Sequence, residues 1–414
     1  MKWGNIIIAG AVVLTVFLGV WFFFSTSGDS LPGETPTATS SPFGSGEVDG
    51  VSNRNPSFEG EVPLVGGDEE TQSKLFKIAA APVAGFVALN RPAVGASSSP
   101  TTIIRYTDRA TGHIFDATMP VRGVGQLAKK RITNNTLPQI YEAIFRADGA
   151  AVLLRGLQEE GDTVENISLT LTPPTSTSTD ALWSVSAASL RGQVDSPSAG
   201  TGNTLVYALR DTGAITSSTF QGESIKTLWS SGFTSWRTSK FGANTLVFTK
   251  PSAAVPGYAY SVSSTGALTK LLGPLNALSA VGNSAGTRLF YSYISGPYKM
   301  AVYNVTQETS EEISPATIPE KCVWSTKDAE SFFCGTPSEG LSGTQPDDWY
   351  AGKTHFSDYI WQFNAATQTS GLIMQPKANF DVDLDVYNPA LSLDESYLIF
   401  MNKTDLSLWA VYLR

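Results

Sequence analysis

A short turn followed by a run of apolar and aromatic residues occurs seven times in this chain of 414 residues. The copies are Thr102–Tyr106, Ala151–Arg155, Thr204–Tyr207, Thr245–Phe248, Arg288–Tyr291, Ser331–Cys334 and Tyr397–Phe400, spaced 49, 53, 41, 43, 43 and 66 residues start to start. A strand-based repeat of that length is one four-stranded blade of a β-propeller. The fold expected is therefore all-β, a seven-bladed propeller, with six or eight blades as the alternatives. A propeller is a platform, and its loops choose what it binds.

The first 24 residues stand apart. Ile6–Phe24 carries no charge, and its only polar side chain is Thr15. A helix of this length spans about 28 Å, close to the hydrocarbon thickness of a bilayer. Trp3 and Trp21 lie near its ends, and Lys2 precedes it while Asp29 and Glu34 follow. The positive-inside rule then places the N-terminus in the cytoplasm and the body outside. A cleaved signal peptide ending near Ser25-Thr26-Ser27 is the rival reading, although the apolar run is long for one. Residues 25–72 are rich in Ser, Thr, Pro and Gly without apolar periodicity, as in a disordered linker. The body is residues 73–414. Its partners are expected to be the membrane, through the helix, and a protein or polysaccharide ligand. A net charge of −9 and the lack of a basic patch larger than Lys129-Lys130-Arg131 argue against nucleic acid.

The two cysteines, Cys322 and Cys334, flank a turn centred on Asp328, each six residues away. A hairpin about that centre sets them opposite each other, within reach of a disulfide. With His113 and His355 far away in sequence, they do not form a zinc cluster.

Trp324-Ser325 before Asp328, and Leu391-Ser392-Leu393-Asp394 before Tyr397–Phe400, resemble the W-S-x-D-G repeat of TolB-type, WD40-like bacterial propellers. The likeness covers most of residues 75–414 and is degenerate, with Asn283-Ser284 standing where Asp-Gly belongs. It implies a periplasmic or surface propeller that binds proteins, and it carries over no catalytic residues. The seventh repeat ends after its third strand, so Leu75-Phe76-Lys77-Ile78 is expected to supply the fourth and close the ring.

Several motifs are candidates for chemistry. The sixth repeat holds an insertion, residues 337–357, with Asp347, Asp348, Trp349, Tyr350 and His355 grouped in it. It reads either as a contact surface for sugar, peptide or cation, or as a loop tucked onto its own blade by its aromatics. Asp381, Asp383 and Asp385 alternate as on one strand face and are weak candidates for a cation. An EF-hand loop is excluded, because Val386 and Ser392 occupy its Gly and Glu positions. Gly282-Asn283-Ser284-Ala285-Gly286 matches a nucleophile elbow, and Gly123-Val124-Gly125 with Ala128 matches a loose dinucleotide fingerprint. Both lack the strand–turn–helix context those motifs need, and both read as blade turns. Asn-x-Ser/Thr at Asn134, Asn166, Asn304 and Asn402 occurs at chance frequency. No cofactor is implied. The functional classes left are a binding platform, a glycan-acting hydrolase or lyase using channel carboxylates, and an assembly factor for a membrane complex.

Overall fold

A computed structural model describes residues 74–91, 101–157, 163–175 and 181–414. The expected membrane helix at 1–24 and the linker at 25–72 lie outside them. Among the described residues no helix is long and apolar enough to cross a membrane.

The described chain forms seven four-stranded antiparallel sheets. We number its strands β1 to β28 in chain order. Blades 1 to 6 take four consecutive strands each, from β2–β5 through β22–β25. Blade 7 takes β26 (Val386–Leu391), β27 (Tyr397–Asn402) and β28 (Leu408–Tyr412), and borrows β1 (Leu75–Ala79) as its outer strand. Leu75 pairs with Val411 and Phe76 with Ala410, so the ring closes as its two ends imply.

All seven repeated phrases are the second strand of a blade. That strand is covered on both faces by neighbouring blades, so it needs a continuous apolar run rather than alternation. Every residue of β23 (Ser331–Pro337) and of β27 is buried. Outer strands such as β5 (Ala128–Arg131) are exposed throughout. The blades meet through interleaved aromatics. Between blades 5 and 6, Phe290 stacks on Trp324 and packs against Phe332, each at 5.1 Å. The Trp324 indole donates to the carbonyl of Val281 at 2.9 Å, which ties the two blades together.

The turn from first to second strand is held by a side chain that accepts from backbone N–H groups. Asp148 accepts from Ala150, Asp328 from Glu330 and Asp394 from Ser396, at 2.9, 3.0 and 3.2 Å. Asn283 does the same for Thr287 and Arg288, at 2.9 and 3.2 Å, so the Gly282–Gly286 motif is such a turn. Gly123-Val124-Gly125 lies between β4 (Ile114–Thr118) and β5 and leads into a strand, as the turn reading requires. Cys322 and Cys334 sit opposite each other on β22 (Cys322–Trp324) and β23 and are joined in a disulfide.

Candidate functional site

In each blade the second-to-third turn and the connection from the previous blade emerge at the same end of the ring. That end carries the blade 6 insertion, a helical turn at Pro319–Lys321 and a short helix at Pro376–Phe380. It also carries the mouth of the central channel.

The insertion is anchored inward. It forms one helical turn, Asp347–Tyr350, and Trp349 is only 1% exposed. Trp349 packs on Ile318 and Phe356, against Tyr298 of blade 5 and Tyr387 of blade 7. The Asp347 carboxylate accepts from the backbone of Ala253 in blade 4 at 2.6 Å. Asp348 accepts from the backbone of Thr344 at 2.8 Å and so holds the loop's own shape. The Tyr350 hydroxyl donates to Glu320, which also accepts from Ser279 at 2.7 Å. Of the five residues grouped by sequence, only His355 presents a side chain about half exposed, at 46%. Trp349 thus anchors the loop between blades 5 and 7, and Tyr350 is partly buried beside it.

Beneath the insertion lies a charged cluster that the sequence reading missed. Lys321 is fully buried, and its ammonium contacts Asp358 at 2.7 Å and Asp385 more closely, both buried with it. Asp385 accepts from the Trp349 indole at 3.1 Å and from the backbone of Phe356 at 3.1 Å. The Lys321 ammonium also lies 5.2 Å from the ring centres of both Trp349 and Phe356. Gly335 makes room for Asp358, since a Cβ there would stand 2.8 Å from the carboxylate and 2.5 Å from Val386. This corrects the reading of Asp381, Asp383 and Asp385 as one strand face. All three precede β26. Asp381, in the left-handed conformation, ends the short helix, and with Asp383 it pairs with Lys377 at 2.9 and 3.0 Å, while Asp385 points into the protein. Among the described residues no group of acids, histidines or cysteines is placed to hold a metal ion.

Two carboxylates share one ammonium in this cluster. Burial, offset by Lys321 and reinforced by Asp385, pushes the Asp358 carboxyl up to about 6. The folded protein therefore binds this proton more tightly than the unfolded chain does. Its contribution to stability grows as pH falls from about 6 towards the ordinary carboxylate value, and is smallest above 6. The size is at most about 3 kcal/mol. Carboxylates held low by hydrogen bonds, such as Asp328, weaken the fold only below that window. We expect a higher thermal midpoint at pH 5 than at pH 7.5, with the difference flattened in Asp358→Asn. His113, whose pKa burial lowers, pulls the other way in both chains, so an Asp358→Asn chain with the same pH dependence as the wild type would refute the assignment.

The channel mouth holds a cavity of about 890 Å³ whose walls come from blades 1, 2, 3, 4 and 7. Its first strands approach closely: a Cβ at Gly85 of β2 would fall 2.0 Å from the Ala143 carbonyl of β6. Phe86, Tyr141 and Tyr387 line it, with Ser198, Thr238 and Asn388 as neutral polar groups. Arg109 and Lys403, from equivalent turns of blades 1 and 7, add positive charge. Neither makes a salt bridge among the described residues. The Lys403 ammonium lies 4.8 Å from the ring centre of Trp349 and 5.9 Å from that of Tyr387. Its pKa is lowered, chiefly by burial, although Asp385 opposes the shift. Of the two acids of the wall, Glu142 is paired with Arg155, whereas Asp405 accepts from the hydroxyl and backbone of Ser407 and keeps its charge. The wall carries two cations, Arg109 and Lys403, and two carboxylates, of which only Glu142 is neutralised by an ion pair, with Arg155.

No protein-family profile matches the chain, and no curated protein does. Solved structures do align with it. YCF48 bound to D1 peptide aligns at 12% identity and TM-score 0.51, over 84% of this chain and 98% of that one. A streptogramin B lyase aligns at 12% identity and TM-score 0.48, over 82% and 97%. TolB from Acinetobacter baumannii aligns at 13% identity and TM-score 0.39, over 69% of this chain and 62% of its own. At such identities the likeness concerns fold alone, and what it shows is a seven-bladed β-propeller.

Proposed function

We propose that this chain is a binding platform, tethered to a membrane by residues 1–24 and displayed outside the cytoplasm, which docks an anionic partner at its channel mouth. The observation that carries this is the cavity of about 890 Å³ walled by two cationic side chains without salt bridges, Arg109 and Lys403. Leaving such groups part-buried without a counter-ion is costly, and an anion relieves that cost. The engaged state of Glu142 and Asp405 favours holding a ligand over moving protons. The disulfide fits an oxidising compartment. The partner classes are an envelope protein or a surface polymer.

Two experiments test this. A photo-crosslinker at Thr404, exposed at the mouth, is expected to capture a partner in intact cells. The same group at Ser284, in a turn at the opposite end of the ring, is expected to capture none. Equal capture at both positions argues against the mouth. For topology, a cysteine at Ser41 is expected to react with a membrane-impermeant maleimide in intact cells, over a low background because both native cysteines are bridged. Labelling only after lysis reverses the orientation.

A further inference from the structure

We infer that the channel cavity is built for an acidic saccharide, a short sugar chain bearing a carboxylate. This rests on the reading above that the mouth is the docking site, and it names the ligand's chemistry. Arg109 offers a planar fork of donors, which suits a carboxylate held by two parallel hydrogen bonds. Lys403 offers a second, point-like positive charge that the aromatic faces of Trp349 and Tyr387 hold in place. These two select an anion.

The rest of the wall selects against a ligand that is only an anion. Glu142 and Asp405 also line the cavity, and either would repel a ligand dense in negative charge. Each keeps lone pairs free to accept from hydroxyl groups, and the Asn388 side chain both donates and accepts. A ligand that satisfies this wall carries one or a few carboxylates among many hydroxyls. Tyr141 and Tyr387 add flat apolar faces of the kind a sugar ring's C–H bonds cover. The volume lies in the range of sites for small ligands, which suits a few rings and excludes a folded domain. A peptide rich in acids meets the cations equally well but leaves Glu142 and Asp405 facing charge rather than hydroxyls.

Calorimetry with the full chain at low salt tests this, using trigalacturonate, galactotriose and triglutamate as probes. Trigalacturonate is expected to bind at least tenfold more tightly than either of the others, and to weaken as salt is raised. Arg109→Gln and Lys403→Gln are each expected to weaken it tenfold or more. Thr404→Trp, at an exposed wall position, is expected to block binding without disturbing the cluster beneath Lys403, so the test survives if Lys403→Gln fails to fold. Triglutamate binding as tightly as trigalacturonate overturns the sugar and leaves the docking reading standing. If no probe binds while the Thr404 crosslink still captures a partner, this inference fails alone. If trigalacturonate binds and all three substitutions leave it unchanged, the ligand sits elsewhere and both readings fail.

Discussion

Deleting Lys74–Ala79 is expected to leave no folded monomer. The segment buries Leu75, Phe76, Ile78 and Ala79 in blade 7, each 9% exposed or less. Burying one large apolar side chain is worth about 1.5–3 kcal/mol, and whole domains are stable by only about 5–15 kcal/mol. The deletion also bares β28, every residue of which is buried, as an unpaired edge. Size exclusion should show oligomers or aggregate, and a denaturant titration should show no cooperative transition. A monomer with the wild-type midpoint would mean that closure does not depend on β1.

Trp349→Ala is expected to lower stability by about 3–5 kcal/mol, the range for emptying a buried aromatic site. More than volume is lost. Asp385 loses its indole donor, and Lys321 and Lys403 lose a shared aromatic face. Trp349→Phe keeps a ring but not the donor; Asp385 retains Lys321 and the Phe356 N–H, so an intermediate loss of about 1–3 kcal/mol is expected from one lost hydrogen bond to a charged group. Chemical denaturation measures both. A loss under about 1 kcal/mol for Trp349→Ala, together with lost partner capture, would return Trp349 to the role of a contact residue.

The parts legible in the sequence are those written locally. A second strand covered on both faces must be an unbroken apolar run, so it shows in a single stretch such as Tyr397–Phe400. The hairpin joining Cys322 to Cys334 is symmetric about Asp328, and the missing last strand is a matter of counting. The buried cluster is not local. Lys321, Asp358 and Asp385 lie at three separate places in the chain, and a lone lysine or aspartate reads by default as solvated. One signal was present: Asp358 and Asp385 each stand directly before, or at the start of, an apolar strand, where a solvated acid would be out of place. Asp381-Val382-Asp383-Leu384-Asp385 misled because its period of two fits a strand, whereas the chain there is leaving a helix. Arg109 and Lys403 meet only because blade 7 is next to blade 1, a fact of ring closure rather than of any motif.

Borrowing β1 for the last blade also sets the order of events during synthesis. Leu75 reaches its place only beside Val411, 336 residues further along the chain. While the intervening blades are being made, the apolar segment Leu75–Ala79 has no partner to pair with. Blades 1 to 6 are each contiguous in sequence and can form as they emerge, but the ring cannot lock until β28 has been made. Pairing across so long a loop is slow. A truncated or stalled chain therefore displays two sticky edges at once, which makes an incomplete copy a natural target for chaperones and proteases.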